Sequence, residues 1–220
     1  MDDPDVVIDE TVVDEECITG VAGDVGVTRI ITRVAARADV KYVYTILEEM
    51  ERSARVRGTG IARRTPQSIC QKIYDGKAVI AVTAGGDWVG FSYIEAWSGG
   101  QFVSNSGLIV NPAYRGGGVA TVIKNHIFRL SCSRYPAAKV FSITTGEAVK
   151  KMNTRLGFQP VSYSEITRDE KFWDQCRQCV NYSKLQSESR QRCLCTAMLY
   201  DPRQDGITKT SITLKKVFSK

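Results

Sequence analysis

The chain has 220 residues, 43% of them hydrophobic, which fits one globular domain with appendages and a substantial core. No apolar run approaches the roughly 20 residues that a membrane-spanning helix needs, and the start Met1-Asp2-Asp3-Pro4-Asp5 lacks the basic-then-apolar order of a signal peptide, so a soluble cytoplasmic protein without a membrane partner is expected. The formal net charge of +6 is uneven: residues 1–28 hold nine acids and no Lys or Arg, leaving +15 on the rest (30 basic against 15 acidic residues). That basic body is either a solvated surface or the receiver of a polyanionic ligand. Nucleic acid is not indicated, because no basic stripe interleaved with aromatics is present.

Taken in chain order, residues 1–28 read as an acidic N-terminal arm or a peripheral strand. Ile30–Val34 is the first β-branched run and the first strand expected in the body. Val40, Val43, Tyr44, Leu47 and Met50 recur at spacings of three and four and predict a helix with one apolar face. Thr65 then caps a second helix with Pro66 in its first turn, ended by Asp75-Gly76. Three strands follow, over Ala78–Thr83, Trp88–Trp97 and Phe102–Val110, joined by glycine-bearing hairpin turns. A helix is predicted over Val119–Cys132 with Val122, Ile123, Ile127 and Leu130 as its buried stripe, then a strand over Val140–Thr144. A short helix covers Ala148–Leu156, Phe158–Ile166 is extended, a cysteine-bearing insertion occupies about 169–195, and Cys195–Tyr200 is the last strand. The body is therefore 29–200, and a basic tail covers 201–220. Hairpins on one side and helical crossovers on the other describe an α/β (α+β) fold: a mixed, mostly antiparallel sheet with helices on both faces.

The stretch with the most chemistry is the end of the third hairpin-linked strand. Leu108-Ile109-Val110 stops at Pro112, three glycines (Gly116, Gly117, Gly118) turn the chain, and a helix starts at Val119-Ala120. Glycines leave backbone N–H groups uncovered, and a helix N-terminus adds partial positive charge, so the pattern describes a diphosphate pocket. It has no Gly-Lys-Ser/Thr of a nucleotide-hydrolase loop, and it lacks the G-x-G-x-x-G spacing of a dinucleotide fold.

The segment Val110-x-Pro112-x-Tyr114-Arg115-Gly116-Gly117-Gly118-Val119-Ala120 resembles the Arg/Gln-x-x-Gly-x-Gly/Ala motif of the GCN5-related N-acetyltransferase (GNAT) family, and Leu156-Gly157-Phe158 is similar to the family's LGF. The resemblance spans roughly 29–200 and implies a GNAT-like sheet and an acetyl-CoA co-substrate. It implies that Leu108, Ile109 and Val110 line the pantetheine arm, and that Arg115 through Ala120 hold the pyrophosphate. It also implies direct attack of an amine, from a small molecule or a peptide, on the thioester. The family's acid, a Tyr four residues before the LGF glycine, is here Asn153, which can hydrogen-bond the thiol or pantetheine but cannot donate a proton as an acid. Glu95, in an otherwise apolar strand, is the first candidate base and Glu147 the second; His126 reads as a solvated histidine.

Cys176-x-x-Cys179 and Cys193-x-Cys195 carry the ligand spacing of a structural Zn²⁺ site, with buried thiols or a redox pair as alternatives. Three functions stay open on the sequence: an N-acetyltransferase, a non-catalytic coenzyme A or zinc-knuckle binding module, and a nucleic-acid-associated acyltransferase. A homodimer is compatible with each.

Overall fold

The computed structural model describes residues 16–21, 27–58, 64–177, 179 and 195–204. Among these residues eight strands form one sheet: β1 (Glu16–Val21), β2 (Val27–Val34), β3 (Ala78–Thr83), β4 (Trp88–Trp97), β5 (Phe102–Val110), β6 (Lys139–Thr144), β7 (Gln159–Val161) and β8 (Thr196–Tyr200). Their order is β1-β2-β3-β4-β5-β6-β8-β7, with every neighbouring pair antiparallel except β5 and β6, which run parallel. Five helices join them: α1 (Val43–Val56), α2 (Pro66–Tyr74), α3 (Val119–Arg134), α4 (Glu147–Arg155) and α5 (Glu170–Cys176). This is the mixed, mostly antiparallel sheet expected from the sequence. No helix among the described residues is long and apolar enough to cross a membrane.

Strand β3 is buried along its whole length because it is covered on both faces. Ala78, Ile80 and Val82 point towards Val43, Ile46 and Met50 of α1 and Ile69 and Ile73 of α2. Val79 and Ala81 point to the other face, onto Val119, Ile123 and Ile127 of α3. The alternation of strand side chains sorts residues between two helix layers. A second pair of clusters serves the far half of the sheet. Phe141 and Leu199 pack with Trp97 and with Phe172 of α5 on one face, and Val140, Phe158 and Met198 pack on the other.

The start of α1 departs from the sequence reading. A 3₁₀ turn over Arg37–Tyr42 precedes it, held by Asp39, which accepts two hydrogen bonds from Arg33 (2.7 and 3.0 Å) and one from the Ala36 amide (2.7 Å). Within α1, Val43 and Met50 are buried as expected, but Ile46 joins them in the core and Tyr44 is exposed. The cap of α2 is as expected: Thr65 accepts from the Ser68 amide and Pro66 opens the helix. The extended segment expected over Phe158–Ile166 shrinks to the three residues of β7, after which Ser162 and Glu165 close a capping box around a 3₁₀ turn.

Asp201, just after β8, closes one end of the β6–β8 ladder, opposite Lys139. It takes Lys139 Nζ at 3.0 Å and Arg203 Nε at 3.2 Å. Burial works against its charge, but the hydrogen bonds from Arg203 and Lys139 outweigh burial and hold the carboxyl down to about 2. A depressed acid stabilises the fold above its unfolded value of about 3.9 and loses that contribution as pH falls towards the folded value. Urea midpoints measured from pH 5 to pH 2 should therefore fall more steeply for the wild type than for Asp201→Asn, which lacks this contribution at every pH. Parallel curves for the two proteins would show that Asp201 does not stabilise the fold.

Candidate functional site

The glycine turn is built by the residues around it. At the end of β5 the Asn111 amide donates to the Val89 carbonyl (2.8 Å), its side chain donates to the Trp88 carbonyl (3.1 Å), and its Oδ1 accepts from the Ala113 amide (3.1 Å). Asn111 thus starts the short turn Pro112–Tyr114 and fixes where the loop leaves the sheet. Gly116 and Gly118 then adopt φ of +86° and +80°, a left-handed backbone that favours glycine. A Cβ placed on Gly116, Gly117 or Gly118 would meet no atom within 4 Å, so the glycines face open space. Backbone bonding in α3 begins with Thr121 and Val122 donating to the Gly118 carbonyl, and the first amides of a helix have no partner inside it. A cavity of about 340 Å³ lies over this loop, lined by Val110 at one end and by Lys151 and Arg155 of α4 at the other. Thr121 Oγ1, donating to Met152 Sδ at 3.5 Å, joins α3 to α4 across it.

Arg115 behaves differently from the glycines. Its Nε donates to the Val110 carbonyl (3.0 Å), and one terminal nitrogen donates to Glu49 Oε1 (2.7 Å) and Ser53 Oγ (2.8 Å) on α1. Glu49 also takes Arg52 and Ser53. Burial raises the Glu49 carboxyl, and the bonds from Ser53, Arg52 and Arg115 more than reverse this, so its pKa lies below the ordinary value. The guanidinium is a strut between the loop and α1, although Arg115 still borders the cavity.

A second opening lies further down β5. The parallel ladder between β5 and β6 consists of Phe102↔Lys139, Val103↔Val140 and Ser104↔Phe141, and beyond Ser104 the strands diverge. On the other side of β5 the register with β4 jumps from Tyr93↔Ser106 to Phe91↔Ile109, which leaves Gly107 and Leu108 opposite Ser92 as a bulge. Gly107 has φ +67°, and a Cβ there would lie 2.6 Å from the Tyr93 ring, so the bulge requires glycine. A cleft of about 210 Å³ occupies the gap, bordered by Ser104–Leu108 on β5, Ser142–Thr144 on β6, Val149 of α4 and Arg64. Arg64 Nε donates to Tyr93 Oη at 2.7 Å. Among the described residues no carboxylate borders either opening.

The expected site residues separate on this frame. Leu108 borders the cleft, and Val110, Gly116, Gly118, Val119 and Ala120 border the loop cavity; the Ile109 side chain turns into the core beside α1, leaving its backbone on the open edge. Glu95 is held by Lys72 at 2.5 Å, with its side chain 26% exposed, and borders neither opening. Glu147 sits in the first turn of α4, exposed and 3.6 Å from Lys150. Asn153 is fully buried: Nδ2 reaches Met198 Sδ at 3.6 Å, and Oδ1 has no hydrogen-bond partner. His126, expected in solvent, is only 8% exposed on the inner face of α3, whose buried side is wider than the expected apolar stripe. The sequence reading missed Lys124 and Asn105, two polar side chains buried near the cleft. A lysine in a helix and an asparagine in a strand carry no signal until the fold joins them.

Of the four cysteines expected to hold zinc, Cys193 lies outside the described residues. Cys176 ends α5, the Cys179 amide donates to its carbonyl at 3.0 Å, and Cys195 precedes β8. Among the described residues no group of three or more His, Cys, Asp or Glu is placed to hold a metal ion. The described cysteines therefore supply no complete zinc ligand set of their own.

No family model matches this chain, and no curated protein is similar to it in sequence. Solved structures are similar in fold. The N-acetylglutamate synthase of Neisseria gonorrhoeae, complexed with coenzyme A and N-acetyl-glutamate, superposes with a TM-score of 0.54 at 16% identity, covering 78% of this chain. The chain spans 35% of that enzyme's length. A GNAT-family acetyltransferase of Staphylococcus aureus gives a TM-score of 0.54 at 8% identity, covering 79% of this chain and 99% of its own. A Mycobacterium tuberculosis protein in complex with coenzyme A gives 0.53 at 16% identity, covering 77% and 98%. This chain has the fold of the GNAT acetyltransferases.

Proposed function

We propose that the protein is an acyl-CoA-dependent N-acetyltransferase. The observation that carries this reading is the placement of two openings on one strand, an uncovered amide turn at the top of β5 and the β5–β6 cleft at its middle. Amides of Gly116–Ala120 receive the pyrophosphate, with Lys151 and Arg155 adding positive charge at the rim. The edge of β5 left by the divergence receives the pantetheine arm as a strand would be received, through backbone groups of Leu108–Val110. The thioester then lies in the cleft, and an acceptor amine approaches from the Arg64 side.

The protein's contribution is orientation and exclusion of water more than covalent chemistry. The amine nitrogen attacks the thioester carbon, the C–N bond forms, the C–S bond breaks, and its electron pair leaves on sulfur. The acceptor is a primary amine on a small molecule or a peptide. A non-catalytic coenzyme A binding module is the second reading, favoured by the burial of Asn153 at the position of the usual acid. Thiol release from acetyl-CoA across a panel of amines separates the two: turnover with any amine supports the transferase, and binding without turnover supports the module.

Gly117→Glu tests the phosphate site without disturbing the fold, because a side chain there enters open space. A carboxylate about 4 Å from a phosphate costs roughly 4 kcal/mol at an effective dielectric of 20. Calorimetric affinity for acetyl-CoA should fall by at least about a hundredfold, which needs only about 2.8 kcal/mol. Unchanged affinity with an unchanged circular dichroism spectrum would remove the site. Glu49→Ala takes the acceptor from Arg115 and from the buried Ser53. It should lower unfolding stability by about 1–3 kcal/mol and weaken acetyl-CoA binding several-fold as the loop loses its strut. Lost stability with full affinity would show that the strut serves α1 alone.

A further inference from the structure

Lys124 is 2% exposed, in the middle of α3, yet it ends in a primary amine. Its Nζ donates to Asn105 Oδ1 at 3.0 Å and lies 4.9 Å from the centre of the Phe158 ring. Asn105 in turn donates from Nδ2 to Ser131 Oγ at 2.7 Å, and Ser131 Oγ donates to the Ile127 carbonyl at 2.8 Å. These bonds fix the Asn105 amide twice over. An ammonium can only donate, so Oδ1 must face Lys124. Ser131 has given its hydrogen to Ile127, so it must accept from Nδ2. One N–H of Nδ2 remains, on a residue that borders the β5–β6 cleft.

Five residue steps of about 3.3 Å place Asn105 roughly 16 Å along β5 from Val110, a span that an extended pantetheine arm covers from a pyrophosphate at the glycine turn. We propose that Asn105 presents its remaining N–H to the sulfur of the coenzyme A thioester, and that Lys124, as a positioning residue, orients that amide and steadies the departing thiolate with its buried charge. This inference rests on the reading of the cleft as a coenzyme A site. In the transfer the nitrogen–carbon bond forms as the carbon–sulfur bond breaks, the electron pair goes to sulfur, and the proton lost by nitrogen passes to water. No tyrosine hydroxyl is then required at position 153.

Burial alone pushes the Lys124 amine down to about 7, so no neighbouring charge offsets its desolvation. The printed contacts of Lys124 Nζ are the neutral Asn105 and Phe158; the charged side chains that border the two openings are Arg64 at the cleft and Arg115, Lys151 and Arg155 at the loop cavity, all cationic. An anion arriving in such a setting favours the ammonium, and the ammonium favours the anion.

The test uses the full chain with coenzyme A and with desulfo-coenzyme A, which lacks only the thiol. Thiolate absorbance in the ultraviolet, corrected with the desulfo complex, gives the pKa of the bound thiol. We expect it at least about one unit below a free thiol near 8.5, a tenfold preference for thiolate, and we expect Lys124→Met and Asn105→Asp each to abolish that shift while desulfo-coenzyme A binds all three proteins alike. Asn105→Asp keeps a partner for Lys124 and decides the matter should Lys124→Met fail to fold. A shift of the same size in the variants, with desulfo-coenzyme A bound, overturns this inference and leaves the proposed function standing. Failure of desulfo-coenzyme A to bind the wild type overturns the proposed function and this inference with it.

Discussion

The parallel pairing of β5 with β6 holds for three residues and ends at Ser104, and the cleft between the strands depends on that ending. Two things let the strands part without loosening the molecule. The Gly107–Leu108 bulge bends β5 through its pairing with β4. The two halves of the sheet also carry separate cores, one under α1, α2 and α3 and one around Phe141, Phe158 and Phe172. Each half has its own buried cluster, so the packing does not require the seam between them to close. The price is a run of β5 backbone from Asn105 to Val110 with no strand on its β6 side, and such groups need a partner or water.

Charge follows the same seam. The loop above it offers backbone amides, whose partial charge is fixed by helix geometry and cannot titrate. Arg115, the residue nearest in sequence to those amides, is turned away to Glu49, so it sets where the loop stands relative to α1. Free charge at the rim comes instead from α4, through Lys151 and Arg155. The strut and the rim are different jobs given to the same residue type.

What the sequence could express divides along contact range. The bounds of β3, β4 and β5 are legible because apolar runs end at glycine turns, and the α2 cap is legible because Thr65 and Pro66 are adjacent. The glycine turn is legible because its chemistry is local. Ile46 rather than Tyr44 joins Val43 and Met50 in the core, because both sets of spacings fit a helical period and only packing against the sheet decides between them. Arg115 finds Glu49 66 residues away, and Lys124 finds Asn105 19 residues away on another element. In sequence each is an ordinary polar residue; only the fold makes a strut of one and a buried cation of the other.

The same electrostatics bear on how an amine loses its proton in this cleft. Glu95, the carboxylate best placed by sequence, is paired with Lys72 and does not border the opening. Under the proposed reading, an ammonium entering beside Arg64, near the Asn105 that holds Lys124, meets like charge and no carboxylate among the described residues lining the gap. Like charge and desolvation both favour the neutral amine. Each unit by which they lower its pKa multiplies the nucleophilic fraction tenfold, worth about 1.4 kcal/mol. General bases typically contribute a hundredfold or more, so about two units of such a shift would match a weak one. A cationic cleft can therefore do by environment part of what a carboxylate does by contact, and the same charge that disfavours the ammonium favours the thiolate as it leaves.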